Sequence, residues 1–356
     1  MPAVPNRGKP LILLTGVSGF CGAWIAHALL QDGYAVCGVV RSETKGEYLA
    51  SVFSSHGSSF FFEKIEDTAK RGALDVVLKK HEPVAIIHTA AVVDYDDNTQ
   101  NVLETNAEGI DHILESVKKH GSKVQRFIYL GSVQALLEKD KPLGYIYKET
   151  DWYQSAIDAV KANKPDITGE QRYAASKALA EQNIIRFEEQ NPNLSWDITR
   201  ILPSYVFGKM IHRSSFANPT ELNYSMKMVY LWLTNPPSPE VLPYQMGYNF
   251  WAADYIDVQD LAKLSVKGLQ TEGAGGKRII VNAKAFSYQD LFNTVASLGL
   301  KGPRGTPELA LQLLPEKFVD DHTAKDILGW SEYIPLASCI KDCYESFEQS
   351  GLRISE

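Results

Sequence analysis

Residues 11–22 read LILLTGVSGFCG, and this stretch decides the fold. An uninterrupted apolar run reaches Thr15 and Gly16, and glycines recur at Gly19 and Gly22. Such a run predicts a strand buried on both faces. The following AWIAHALLQDG (23–33) carries apolar residues at helical spacing and a glycine where a helix would stop. A glycine-rich turn between strand and helix is the setting for binding a dinucleotide's phosphates. Gly16 would permit the tight turn, Gly19 the approach of backbone to a pyrophosphate, and Gly22 close packing of helix on sheet. The helix N-terminus would add free N–H groups and partial positive charge. The competing reading, a tight connection with incidental glycines, loses ground because strand and helix stand in the right places.

Outward from this turn the pattern repeats. YAVCGVVR (34–41), SSFFFEKIE (58–66), PVAIIHTAA (83–91) and VQRFIYLGS (124–132) read as strands, and SWDITRILPSYVFG (195–208) contains a sixth. Helical patterns occupy 72–81, 101–121 and 170–190. Apolar strands joined by helices predict an α/β fold, a doubly wound parallel sheet of the Rossmann kind. Residues 209–250 are irregular and rich in Pro, Asn, Tyr and Met. A turn and helix over 252–269, a strand over 276–283 and helices over 287–300 and 338–351 follow. The expected organisation is a dinucleotide-binding core over 1–208, rejoined by 252–283. A smaller, interleaved substrate lobe would comprise 209–251 and 284–356.

Composition narrows the function. The chain has 356 residues, 44% hydrophobic and 22% charged, ordinary for a globular protein. Its net charge of −7 argues against nucleic acid or an anionic membrane surface as partner, because both need clustered cations. No apolar run approaches a membrane span, and MPAVPNRGKP lacks a signal-peptide core, so a cytoplasmic protein is expected. Cys21, Cys37, Cys339 and Cys343 are too sparse for a zinc site and read as reduced packing residues. Asp94, Asp96 and Asp97 look like a metal cluster but lack further ligands nearby, and read as a helix-entry loop.

The second strand ends VVRSETKG, which places Arg41 and Lys45 where an NAD site would hold a carboxylate. Arginine engages a 2′-phosphate through charge-assisted bonds, so the expected cofactor is NADPH/NADP+. The alternative is a solvated basic turn, with Glu43 close by. Asp67, after the third strand, is read either as an acceptor for the adenine amino group or as a surface residue.

Ser132 closes the fifth strand, where ligands sit in open α/β sheets. In QRYAASKA (171–178), Tyr173 and Lys177 share a helix face. A free tyrosine is a poor acid–base catalyst near neutrality. An ammonium one turn away, with the positive charge of the oxidised nicotinamide, would favour the phenolate and lower its pKa. The expected chemistry is polarisation of a carbonyl by Ser132 and proton delivery by Tyr173. YxxxK alone is weak; downstream of the glycine turn and a strand-end serine it is strong.

With TGVSGFCG, HTAA (88–91), LGSV (130–133), YAASK (173–177), LPSYVFG (202–208) and YIDVQDLA (255–262) in order, the chain resembles an extended short-chain dehydrogenase/reductase. Within that family it is most similar to fungal NADPH-dependent aldehyde and ketone reductases of the methylglyoxal/isovaleraldehyde type, related to dihydroflavonol reductases. RSETKG and AKDILGW carry that narrower likeness. The resemblance implies catalysis by Ser132, Tyr173 and Lys177. It implies a cofactor surrounded by Thr15, Gly16, Gly19, Phe20, Arg41, Lys45, Asp67, Thr89, Ala90 and Pro203. It also points to Val93, Val133 and Glu170 as substrate contacts. The chain departs from the group at Leu130 and Gly131, where the group has hydroxyl residues, and at Val92 and Val93, where it often has an aromatic.

The expected activity is reduction of a small-molecule aldehyde or ketone by a monomer or homodimer. A nucleotide-sugar epimerase or dehydratase of the same fold, and a non-catalytic sensor of NADP, are the alternatives. His88 reads as a packed histidine, and Asn106 as a backbone brace or a helix-surface residue. Tyr224, Met226, Trp232, Tyr244, Tyr248 and Trp251 read as core or pocket wall.

Overall fold

The computed structural model describes residues 3–93, 101–142, 144–213, 216, 218–242, 248, 251–307 and 318–354, with Asn101 and Trp251 by backbone alone. In chain order the first half runs β1 (Leu11–Thr15), α1 (Phe20–Gln31), β2 (Ala35–Val40), α2 (Glu43–Val52), β3 (Phe60–Lys64), α3 (Asp75–His81) and β4 (Ala85–His88). It continues with α4 (Asn101–Leu103), α5 (Gly109–His120), β5 (Arg126–Leu130), α6 (Gln154–Lys161), α7 (Gly169–Gln190) and β6 (Asp197–Pro203). The second half contributes β7 (Tyr205–Phe207), α8 (Tyr224–Thr234), β8 (Trp251–Asp257), α9 (Val258–Gln270), β9 (Arg278–Val281) and β10 (Lys284–Ser287). It ends with α10 (Tyr288–Ser297), α11 (His322–Leu328) and α12 (Leu336–Gln349).

A seven-stranded sheet in the order β3-β2-β1-β4-β5-β6-β9 is parallel throughout. The order reverses between β1 and β4, so the C-terminal ends of these strands open a crevice where the glycine turn sits. α1 and α9 cover one face, and α5 and α7 the other. The apolar runs read from the sequence become strands because both faces are buried: β4 and β5 are buried at every residue.

Three local differences from the sequence reading bear on the site. Residues 252–257, expected as a turn, form most of β8, which pairs in parallel with β7 and antiparallel with β10 in a small second sheet. The long helix expected over 101–121 is broken by a π turn at Glu104–Glu108. The sixth-strand segment is two strands in different sheets, because the chain leaves the large sheet after Pro203 and enters the small one at Tyr205. Asp257, at the end of β8, caps α9 by accepting from the Gln259 N–H at 2.8 Å.

Candidate active site

Gly16 has φ of +72°, and a Cβ there would lie 2.6 Å from the Ala90 nitrogen. Gly22 packs its α-carbon against the Gly16 carbonyl, leaving no room for a side chain. Gly19 is different: its φ is −88°, and an added Cβ would come no closer than 3.3 Å to protein, at the Gly16 oxygen. Its backbone lines both cavities described below, so what it offers is access. The turn thus has the cradle and the helix N-terminus that a pyrophosphate requires.

A cleft of about 980 Å3 runs from this turn past the end of β2. Gly16, Gly19, Phe20, Arg41, Lys45, Asp67, Thr89 and Ala90 line it, all of them expected beside the cofactor. Arg41 follows β2 directly, and Lys45 stands in the first turn of α2. Asp67 accepts from the Ala69 N–H at 2.9 Å. The opposite wall, formed by His212, Arg213 and Phe216, was not expected from the sequence. Arg213 lies 4.6 Å from the centre of the Phe216 ring and pairs with Glu221. Burial, then Arg213 and Lys45, lower the His212 pKa to about 4.

A second cavity of about 390 Å3 adjoins the first, sharing Gly16, Gly19, Phe20 and Thr89 with it. Ser132, Tyr173 and Lys177, expected from three separate segments, meet here. α7 delivers the last two. Its N-terminus is fixed by a capping box in which Thr168 accepts from the Gln171 N–H at 3.2 Å while the Gln171 side chain accepts from the Thr168 N–H at 3.1 Å. That cap gives Gln171 a structural role.

Tyr173 is 6% exposed and hydrogen bonded to the Ser132 side chain. Burial raises its pKa above the ordinary value, and the Ser132 bond opposes this only in part. The lowering anticipated from Lys177 is therefore not found here: desolvation of the phenolate dominates. Lys177 is 4% exposed, and burial lowers its pKa to about 8 against the raising effects of Glu181 and Cys21. Its Nζ donates to the Leu130 carbonyl at 3.1 Å and lies 5.3 Å from the Tyr129 ring centre.

Asn106, in the π turn, braces this arrangement. It donates to the Val92 carbonyl and accepts from the Val92 N–H, each at 2.9 Å, and donates to Ser176 Oγ at 3.1 Å. Ser176 in turn donates to the Tyr173 carbonyl at 2.7 Å. The strand-end backbone and α7 are thereby locked together. π turns recur at functional sites for such reasons. His88 is buried, within 2.7 Å of Thr15 Oγ1, and burial, reinforced by Lys177, lowers its pKa to about 3. It is a neutral packing histidine.

Other expectations sort unevenly. Gly22, Pro203, Val93 and Val133 line the second cavity. Thr15 and Glu170 line neither: Thr15 is fully buried and turned to His88, and Glu170 forms an ion pair with Lys139 at 3.1 Å. Met226 and Trp232 are core, Tyr248 packs edge-on to Phe292, and Tyr224 is a cavity wall. Tyr244, the Trp251 side chain and the three aspartates Asp94, Asp96 and Asp97 lie outside the described residues. Cys37, Cys339 and Cys343 are buried, whereas Cys21, read as packing, lines the second cavity. Gln134, Ser204, Tyr205 and Asn223 also line it; Ser204 and Tyr205 fall within LPSYVFG, but the sequence reading gave none of the four a role at the site. Among the described residues, no cluster of metal-ligand side chains is present and no helix is long and apolar enough to cross a membrane.

The model of the NAD dependent epimerase/dehydratase family matches residues 12–283. The chain is similar to an NADPH-dependent methylglyoxal reductase of Saccharomyces cerevisiae, 27% identical over 79% of this chain and 80% of that one. It is 29% identical to a protein of Aspergillus terreus named as an NAD-dependent epimerase/dehydratase, over 99% of this chain and 97% of that one. Among solved structures, it superimposes on yeast methylglyoxal/isovaleraldehyde reductase complexed with NADPH. The TM-score is 0.77 and the identity 25%, with 96% of this chain and 99% of that one covered.

Proposed function

The chain belongs to the NAD dependent epimerase/dehydratase family, the extended short-chain dehydrogenase/reductases, and we propose that it is an NADPH-dependent carbonyl reductase that converts an aldehyde or ketone to an alcohol with Tyr173 as proton donor. The observation that carries this reading is the meeting of Ser132, Tyr173 and Lys177 in the cavity that adjoins the cleft of the glycine turn. Reduction of a carbonyl needs a proton at oxygen, and the Tyr173 phenol, in the same cavity as Ser132, can supply it.

The residues fit the cofactor. The glycine turn and the N-terminus of α1 would hold the pyrophosphate, Arg41 and Lys45 the 2′-phosphate, and Asp67 the adenine amino group. When bound, NADPH supplies the hydride. The chain's own part is to hold the carbonyl oxygen between the hydroxyls of Ser132 and Tyr173 and to release the Tyr173 proton to it. The phenolate so formed is stabilised by the Ser132 hydroxyl and by the positive charge of Lys177 one turn along α7. The Lys177 bond to Leu130 fixes that ammonium at the end of β5. In this reading 209–251 and 284–356 supply the substrate lobe, and the enzyme works in the cytoplasm as a monomer or homodimer.

The likeness to a protein named as an epimerase/dehydratase keeps a second reading in view. Such an enzyme would retain its cofactor and show no net NADPH consumption, and the basic pair at the end of β2 favours the reductase. The test is whether the purified protein oxidises NADPH when offered aldehydes and ketones and loses that activity on Tyr173→Phe.

A further inference from the structure

Two buried side-chain oxygens on residues lining the cavity beside Tyr173 have no hydrogen-bond partner among the described residues. Gln134 is 8% exposed and its Oε1 is buried without a partner; Ser204 is 5% exposed and its Oγ is likewise unpartnered. Both line the same cavity as Ser132 and Tyr173. Buried polar groups are almost always hydrogen bonded, so a pair left unsatisfied at one ligand site marks what the ligand must bring.

Neither side chain is placed by accident of a loose loop. The Gln134 N–H donates to Ser132 Oγ at 3.2 Å, inside a 3-10 turn that begins on Ser132. The Ser204 N–H donates to the Val281 carbonyl at 3.2 Å, one residue beyond the end of β6. β5 and β6 are neighbours in the sheet, and the Gly131 N–H bonds the Ile201 carbonyl at 2.8 Å. The two unsatisfied groups therefore stand at the ends of adjacent strands, on rigid backbone. Rigid elements hold specificity groups better than mobile loops do.

Resting on the carbonyl-reductase reading, we propose that Gln134 and Ser204 form a polar subsite for a hydroxyl group carried by the substrate alongside its reacting carbonyl. A carboxamide and a hydroxyl each offer both donor and acceptor capacity, and a substrate hydroxyl returns both. A second carbonyl offers acceptors alone and leaves Gln134 Oε1 unsatisfied. The preferred substrate class is then a hydroxy-aldehyde or hydroxy-ketone rather than a purely apolar carbonyl or a dicarbonyl. A site built to hydrogen bond a substrate hydroxyl rejects the analogue lacking it far more strongly than an apolar pocket rejects a missing methylene.

The experiment compares kcat/KM for NADPH-dependent reduction of two isosteric pairs, hydroxyacetone against 2-butanone and 4-hydroxy-2-butanone against 2-pentanone. In the native protein the hydroxylated member of at least one pair is favoured, by a factor of the order of 100. Gln134→Met, which keeps the side-chain length, reduces that preference to a few-fold by raising KM for the hydroxylated ketone. The same change alters kcat/KM for the deoxy ketones and the KM for NADPH by less than it alters that preference. Equal use of both members of both pairs by the native protein overturns the subsite while leaving carbonyl reduction standing. So does a preference that survives Gln134→Met. If Ser204→Ala raises the KM for NADPH and spares the hydroxyl preference, Ser204 serves the cofactor and the paired assignment is wrong. Absence of NADPH oxidation with any carbonyl, these four included, sinks the parent reading as well.

Discussion

Lys177 shows how burial acts on the charge of a group in the proposed site. Its pKa falls to about 8, from the ordinary lysine value, chiefly because the ammonium is desolvated. A lysine depressed in the folded state binds its proton less readily than in the unfolded chain. Below about pH 8 both states are charged and the folding penalty is fully present; it is relieved as pH rises towards the unfolded value near 10.5. Lys177→Met should remove a penalty of the order of 3 kcal/mol, offset by its lost bond to Leu130. Urea unfolding of both proteins between pH 7 and 10.5 should show the variant losing stability relative to the native chain as pH rises. A difference independent of pH would mean that Lys177 is not held at a depressed pKa. The YxxxK spacing was legible in the sequence, but the direction of both pKa shifts was not. They depend on how much water the fold excludes, and that is a property of contacts brought from distant segments.

At the scale of elements, the proposed reading assigns cofactor choice to the β2–α2 junction. Arg41 and Lys45 flank the N-terminus of α2, so side-chain charge and helix dipole act on the same end of the cleft. Arg41→Ala should raise the KM for NADPH by about 10- to 100-fold, as expected for loss of a charge-assisted bond, while the KM for NADH changes little. Steady-state kinetics with both cofactors check this, and equal losses for the two would assign Arg41 another task. This junction was readable because strand end, turn and helix start are adjacent in the chain. The π turn that aims Asn106, and the wall carrying His212 and Arg213, were not readable. Each acquires its meaning against partners that the local pattern does not name, as Asn106 does at Val92 and Ser176 and His212 at Phe20.

The whole molecule is tied at the far end of its sheet, away from the chemistry. Arg126, at the start of β5, pairs in bidentate fashion with Asp197 at the start of β6, at 2.7 and 2.9 Å. Its Nη1 donates to the carbonyls of Gly268 and Thr271 where α9 ends, at 2.7 and 2.6 Å. Arg126→Leu would leave a buried carboxylate and carbonyls unpaired, and should lower the unfolding free energy by about 3–5 kcal/mol. Turnover per folded molecule should hold, because this network lies at the strand ends opposite the cavities. Chemical denaturation with a parallel activity assay measures both. The parallel sheet was legible from its apolar runs, and this lock was not, since an arginine opening a strand reads as a surface residue. The small sheet was hidden as well: β7 has three residues, and its pairing with β8 spans some 50 positions that carry no local signal.

The central claim is that Tyr173 delivers the proton. It is tested most directly by single-turnover NADPH oxidation with a good carbonyl substrate, comparing the native protein with Tyr173→Phe at equal cofactor saturation. Removing the phenol hydroxyl should slow turnover by about 100- to 10,000-fold, the contribution of a positioned general acid, while NADPH still binds. A Tyr173→Phe protein that turns over within a few-fold of the native rate would contradict the account.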